Sequence, residues 1–454
     1  MSVVSAYDQC MTDATSTGSI PAEQRTAGDA AQKSPKEAIE SIARAAKIAA
    51  RSLATANRAV KDAALHAIAD ALVAATEEIV AANANDLERG RENGISAGLL
   101  DRLELNPDRI AAIADALREI AALPDPVGEI VRGSTLANGL RLKQVRVPMG
   151  VVGMIYEARP NVTVDASGLA LKSGNAVILR GGSAAEKSNR VIVRVIGEAL
   201  ESQGLPAELV QSIDAWGREG AVELMHARGL VDVLVPRGGA GLIQTVVREA
   251  TVPAIETGVG NVHIYVDESA DLDAALEIVV NAKTQRVGVC NAAENLLVHE
   301  AVAEQFIPEV SRALGEHGVV LHADDGFSNL VPDGAAELVA VSDDDWDTEY
   351  LSLDLAARLV PDLDTAIDHI RQHTSGHTEA ILTQNLAASE RFIAEIDAAA
   401  VMVNASTRFT DGGQFGLGAE LGISTQKLHA RGPMGLAELT TTKWIVNGDG
   451  HVRP

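Results

Sequence analysis

Residues 147–182, VPMGVVGMIYEARPNVTVDASGLALKSGNAVILRGG, decide the fold. The apolar run at their start has strand length and composition, NAVILR near their end has the same character, and a helix-length segment lies between. A strand, a crossover helix and a second strand closing on Arg180, Gly181 and Gly182 make a βαβ unit with a tight glycine turn at its carboxyl end. The pattern continues outward. LVQSI (209–213), VDVLV (231–235) and VPAI (252–255) read as strands, and SAAEKSNRVIVRVIGEALES (183–202) as a helix between them. Beyond residue 260 the alternation resumes with IYVDES, NLLVHE, ARLVPD, AILTQ and AAVMVN. The fold class is therefore α/β, with two mostly parallel-sheet units and ligands expected at the carboxyl ends of strands.

Upstream, Ser34, Pro35 and Glu37 spell an N-cap, an N1 proline and the acid of a capping box. The Ala-rich segment 42–90 then reads as two or three helices broken by Gly90 and Gly94, and another helix spans Pro107 to Ala122. Residues 1–35 are polar and aperiodic and read as a flexible extension. The strand-like segments GSTLANGLRLKQVRVPMG (133–150) and LTTTKWIVNGDG (439–450) fall outside the alternation and are expected to pair as a sheet that bridges subunits. These readings place one unit in 36–126 and 148–252, a second in 253–436, and oligomerisation strands in 127–147 and 437–454.

Composition narrows the function. The chain has 454 residues, 46% hydrophobic and 22% charged, the profile of a folded protein of two or three domains. No run approaches the ~18 consecutive apolar residues of a membrane span, and MSVVSAYDQC lacks a basic segment followed by an apolar one, so the cytoplasm is expected. A formal net charge of −25 argues against nucleic acid as a partner. It also makes arginines in glycine-rich turns informative, because an anionic ligand needs locally gathered positive charge. Two cysteines, Cys10 and Cys290, cannot build a disulfide framework or a multi-sulfur metal site, and no HExxH, GxSxG or paired CxxC occurs, so no metal is expected.

Cys290 lies in KTQRVGVCNAAENLLVH (283–299), shortly after the glycine-bearing IETGVGN (255–261). In isolation such a residue is more often a small buried hydrophobe than a catalyst. A thiolate, however, is both nucleophile and leaving group, which suits chemistry passing through a thioester. Arg286, four residues earlier, would bring positive charge to it. Two turns, Arg180-Gly181-Gly182-Ser183 and Arg237-Gly238-Gly239, each follow a strand and precede a helix, which Ser183 can cap in the first, so backbone N–H groups and a guanidinium can converge on a phosphate. Neither is a GxGxxG fingerprint or a P-loop. Glu256 ends an apolar run and fits a general base or a strand-end charge; Asn161 follows Pro160 and fits an oxyanion donor or a helix cap.

Taken together, residues 147–182, VPRGG (235–239), IETGVGNVHIYVD (255–267), RVGVCNAAE (286–294), SGHTEAI (375–381) and 404–436 resemble the gamma-glutamyl phosphate reductases, or glutamate-5-semialdehyde dehydrogenases. These are a phosphate-dependent branch of the aldehyde dehydrogenase superfamily. The resemblance runs from about residue 36 to the end. It implies NADPH-dependent reduction of L-glutamyl 5-phosphate to L-glutamate 5-semialdehyde, the second step of proline synthesis, in a homo-oligomer supplied with its labile substrate by glutamate 5-kinase. It implies Cys290 as the acyl-accepting thiolate, with Asn161 and the Cys290 backbone N–H as oxyanion donors worth about 3 kcal/mol each. The first unit becomes the NADP-binding domain, with Arg180 facing the 2′-phosphate beside Gly181, Gly182, Ser183, Arg237, Gly238 and Gly239, and Glu349 facing the nicotinamide ribose. Glu256 matches the hydrolytic base of aldehyde-oxidising relatives, which a reductase does not need, and is expected to support the site. Charge matching makes Arg286 and Arg408 candidates for the substrate phosphate and α-carboxylate. An aldehyde-oxidising enzyme using Glu256, or a noncatalytic scaffold, are the competing readings.

Overall fold

The computed structural model describes residues 34–95 and 97–453. Cys10 and residues 1–33 of the expected extension lie outside the described residues. At the first described residues the capping box is present: the Ser34 hydroxyl accepts from the Glu37 amide, and the Glu37 carboxylate accepts from the Ser34 amide at 3.0 Å. The Ala-rich segment forms three helices, Pro35–Ala54, Arg58–Ala74 and Thr76–Glu92, and a later one spans Pro107–Ala122. Gly90 does not break the third helix. It lies inside it, where a Cβ would meet Leu100 at 2.9 Å, and Gly94 with φ +69° turns the chain instead.

Six strands follow: β1 (Ile130–Thr135), β2 (Arg141–Pro148), β3 (Val151–Tyr156), β4 (Ala176–Arg180), β5 (Val210–Ser212) and β6 (Val233–Arg237). β3 to β6 form a parallel sheet in the order β5-β4-β3-β6. The chain runs from β3 outward to β5 and returns to place β6 on the other side of β3, so a topological switch point, the usual ligand crevice of open α/β sheets, lies between β3 and β6. The register pairs Tyr156 with Arg237, which brings both strand ends to one edge. VPAI is not a strand; Ala254 makes only an isolated bridge to Leu234. This sheet and the amino-terminal helices share one core, which Leu421, Ala430, Met434, Leu436 and Leu439 also join. Residues 421–436, assigned from sequence to the second unit, therefore pack with the first.

The second sheet holds β7 (Val262–Val266), β8 (Ala293–His299), β9 (Val320–Ala323), β10 (Glu337–Ala340), β11 (Asp354–Val360), β12 (Thr378–Leu382) and β13 (Ala400–Val403), all parallel, in the order β10-β9-β11-β8-β7-β12-β13. Its central strands β7, β8 and β12 are buried on both faces because helices cover both. Ile264, Val266, Leu296 and Val298 pack with helices Leu272–Thr284 and Glu300–Glu316, whereas Tyr265, Leu297 and Ile381 pack with helices Leu363–His373 and Leu386–Glu395. Two short strands, β14 (Ile423–Ser424) and β15 (Gly432–Pro433), pair in the segment that returns to the first core. Finally β16 (Thr440–Asn447) pairs with β2, and β1 with β2, in an antiparallel three-stranded sheet. Ile130, Val131, Trp444, Ile445 and Val446 on that sheet are exposed.

Candidate active site

Cys290 sits in the turn before β8, at the amino edge of the seven-stranded sheet, among the loops that precede β7, β11 and β12. Asn261 ties these loops together. Its backbone N–H donates to Ser375 Oγ (3.0 Å), its amide nitrogen donates to the carbonyls of Trp346 (2.6 Å) and His373 (2.8 Å), and its Oδ1 accepts from Asn295 (2.7 Å). Gly260 then packs flat on the nucleophile: a Cβ there would lie 1.5 Å from the Cys290 carbonyl oxygen. No other residue type fits without moving the thiol. The Gly260 N–H donates to Glu349 Oε1 at 2.8 Å, which brings the acid of WDTEYL to the site. On the other side Asn291 donates to the Thr410 carbonyl (2.8 Å) and its own carbonyl accepts from Thr407 Oγ1 (2.8 Å), drawing in Arg408.

The surroundings of the thiol are mixed in charge. Cys290 keeps part of its surface open, yet burial pushes its pKa up to about 12, with Glu420 and Glu349 adding to the rise and Arg237 opposing it. Burial also raises Glu420, whose Oε2 accepts from the Gly412 N–H at 2.8 Å, and raises Glu349. Against these stand five guanidinium groups. Arg159 follows β3, Arg237 ends β6, and Arg102, Arg286 and Arg408 complete the cluster. Burial and the charges of Arg237, Arg102 and Arg286 hold Arg159 at about 10, while Cys290 acts in the other direction. Among the described residues none of the five forms an ion pair with a carboxylate. Arg408 Nε donates to Gln285 (2.8 Å) and Arg102 donates to the Gly288 carbonyl (3.3 Å), but the buried Nε of Arg237 has no partner.

The residues expected from sequence distribute unevenly around this centre. Asn161 is the second residue of helix Pro160–Lys172 and donates to Asp165 Oδ2 at 3.2 Å; burial raises Asp165 to about 6. Arg286 is exposed, with its charge felt by Arg159 and Arg408. Glu256 lines a cleft of ≈ 180 Å³ with Ile243, Gln244, Ser375 and Thr425. Arg180 stands apart, at the end of β4, where its Nε donates to the Gly217 carbonyl at 3.4 Å. Gly181 N–H donates to Asp214 Oδ1 at 2.6 Å, and Gly182 has φ +79°. Ser183 does not cap the next helix. Asp86, about a hundred residues earlier, does so by accepting from the Ser188 (2.8 Å) and Lys187 (3.3 Å) amides. Gly239 is the uncapped N-cap of helix Ala240–Glu249, and a Cβ at Gly239 or Gly241 would meet nothing within 4 Å. Arg237, from that same turn, has its charged neighbours on the thiol side.

Arg159, Arg102, Asp165 and Glu420 were not singled out from sequence. Arg159 stood two residues before Asn161 in YEARPN, and Glu420 stood between glycines in GLGAELG, so the signal was present in both segments.

Two parallel-sheet units with a thiol between them and a small antiparallel sheet at the side define an aldehyde dehydrogenase architecture, and the aldehyde dehydrogenase family model matches residues 12–326. A gamma-glutamyl phosphate reductase of Kineococcus radiotolerans is 64% identical over 420 residues, covering 92% of this chain and 97% of the relative. The crystal structure of gamma-glutamyl phosphate reductase from Thermotoga maritima superposes with a TM-score of 0.89 at 48% identity, covering 93% of this chain and 100% of that one. An engineered glycolyl-CoA reductase with bound NADP+ shares the fold at 17% identity, with a TM-score of 0.65 over 90% of this chain and 96% of its own. The chain belongs to the aldehyde dehydrogenase family, and within it to the gamma-glutamyl phosphate reductases, which makes it an oxidoreductase. Among the described residues no helix is long and apolar enough to cross a membrane.

Proposed function

We propose that this protein reduces L-glutamyl 5-phosphate to L-glutamate 5-semialdehyde and phosphate with NADPH, through a thioester on Cys290, as the second step of proline formation. The observation that carries this reading is the setting of the thiol: in a chain of net charge −25, Arg159, Arg237 and Arg408 act on the charge of Cys290, Arg102 and Arg286 lie beside them, and none of the five forms an ion pair with a carboxylate among the described residues. Such a centre suits an acyl substrate bearing both a phosphate and a carboxylate. The similarity to named reductases supports the same reading.

The cofactor fits the four-stranded unit. Gly239 and Gly241 leave space beside the start of helix Ala240–Glu249, where a phosphate would displace the Glu157 carboxylate from the Gly239 N–H (3.4 Å), and Arg180 offers a guanidinium at the end of β4 for a 2′-phosphate. Gly181, Gly182, Ser183 and Gly238 shape the two turns between which it would lie, and the second oxygen of Glu349 would meet the nicotinamide ribose. When bound, NADPH supplies the hydride. The chain's own residues do the rest. Cys290 Sγ attacks the acyl carbon, the bond from that carbon to the phosphate oxygen breaks, and its electron pair leaves with phosphate, which takes up the thiol proton. The Cys290 N–H and the second amide hydrogen of Asn161, oriented by Asp165, would hold the oxyanion. After reduction the carbon–sulfur bond breaks and the thiolate departs. Arg408 and Arg286 would hold the α-carboxylate end, and Glu256 supports the loop before β7. The exposed apolar residues of β1 and β16 would meet a second copy of the chain, and the lability of an acyl phosphate favours delivery by glutamate 5-kinase.

Replacement of Cys290 tests the reading. Cys290→Ala should abolish semialdehyde-dependent reduction of NADP, and iodoacetamide should do the same to the wild-type enzyme. A Cys290→Ala protein that still restored growth to a proline-requiring strain would reject the thioester route.

A further inference from the structure

Of the three arginines of the cluster that the mechanism above leaves without a task, Arg102 donates to the Gly288 carbonyl and two have no such tie. Arg159 follows β3 at the start of helix Pro160–Lys172, and its side chain makes neither a hydrogen bond nor an ion pair among the described residues. Arg237 ends β6, and its buried Nε is likewise without a partner. The β3–β6 register places Arg237 beside Tyr156, three residues before Arg159, so the two side chains leave adjacent strands on either side of the topological switch point. Glu420 and Asp165 feel the charge of Arg237, yet neither forms an ion pair with it or with Arg159 among the described residues. Glu420 accepts from Gly412, and Asp165 accepts from Asn161. Helix Pro160–Lys172 has no side-chain N-cap, and its positive dipole end lies beside Arg159.

Leaving two guanidinium groups partly desolvated and unpaired beside each other is unfavourable unless an anion completes them. Resting on the acyl-phosphate reading, we propose that Arg159 and Arg237 form the seat of the phosphate group, holding it as it leaves in the forward reaction and presenting it in reverse. In the forward direction the electron pair of the breaking carbon–oxygen bond is received by a phosphate oxygen facing both guanidinium groups. In reverse that oxygen attacks the thioester carbon, and the carbon–sulfur bond breaks to return the thiolate. This assignment moves Arg237 from the cofactor to the substrate. It leaves Arg286 and Arg408 for the other end of the molecule.

The test is a titration of inorganic phosphate in the reverse reaction, with NADP and semialdehyde held saturating. Arg159→Gln and Arg237→Gln should each raise the KM for phosphate at least tenfold, while the KM values for NADP and semialdehyde stay within twofold. Arg159→Lys and Arg237→Lys should recover part of the loss, since charge without the planar fork still attracts the anion. In parallel, phosphate should raise the melting temperature of Cys290→Ala protein, and should do so less when either arginine is also replaced by Gln. An unchanged phosphate KM with a raised NADP KM would return Arg237 to the cofactor, and a loss of kcat alone would make both residues structural; either overturns the proposal while the wild-type enzyme remains phosphate-dependent. A wild-type rate indifferent to phosphate would reject the acyl-phosphate reading itself.

Discussion

LRGGSAAE and PRGGAGLI look alike in sequence, each a strand end, an arginine, two glycines and the start of a helix, yet the folded chain gives them different work. After β4, Gly181 is locked: a Cβ would lie 2.2 Å from Asn189 Nδ2 and 2.9 Å from Tyr156, and its N–H is taken by Asp214. Arg180 remains at the rim, near the Gly217 carbonyl. After β6, the Gly239 N–H donates to Glu157 Oε2 at 3.4 Å but a Cβ there would meet nothing within 4 Å, and it is the arginine that turns inward, toward Cys290 and Glu420. The contrast shows that a local phosphate-turn pattern fixes what a segment can present. Which strand it follows relative to the switch point fixes what it faces.

The largest expected effect breaks the glycine half of that comparison. Gly181→Ala forces a methyl into filled space and should destabilise the protein by about 1–3 kcal/mol, whereas Gly239→Ala, with φ −67° and no neighbour within 4 Å, should melt within a degree or two of wild type. Equal losses in thermal unfolding would remove the distinction. Next comes the arginine half. Arg180→Ala should raise the KM for NADPH about tenfold, equivalent to about 1.4 kcal/mol, and leave the KM for NADH within twofold; an equal rise for both cofactors would take Arg180 off the 2′-phosphate.

The smallest effect concerns the inward turn. A thiol pushed up to about 12 is almost wholly protonated at neutral pH, so the iodoacetamide rate of the free enzyme should climb about tenfold per pH unit from pH 7 to 9 without a plateau. Because the Glu420 carboxylate opposes the thiolate, Glu420→Gln should speed alkylation several-fold throughout that range. A plateau below pH 9, or slower alkylation in the variant, would place the thiol in a more positive field than its neighbours provide.

Much of the fold was legible because it is locally encoded. The capping box at Ser34, the helix Pro107–Ala122 and most strands of both sheets follow from short-range pattern. Where the reading failed, the deciding partner lay far along the chain. Ser183 looked like a helix cap until Asp86 took that position, and VPAI looked like a strand but finds only one bridge. Strands β9 and β10 were not legible: β9 alternates half-buried and buried residues and carries His322, and β10 is exposed along its length, so neither is a continuous buried apolar run. Cys290, Glu349 and Arg408 were named from sequence and come together at one edge of the second sheet. Arg237 was legible as the arginine of a phosphate-suited turn, but that it acts on the thiol, as Arg159 and Glu420 do, follows only from the convergence of β3, β6 and residues 411–422, which no local pattern states.

The measurement that bears most directly on the account is the dependence of NADP reduction by glutamate semialdehyde on inorganic phosphate. We predict a rate that saturates with phosphate and is supported by arsenate in its place. A rate that is the same with neither anion present would contradict phosphate as the leaving group.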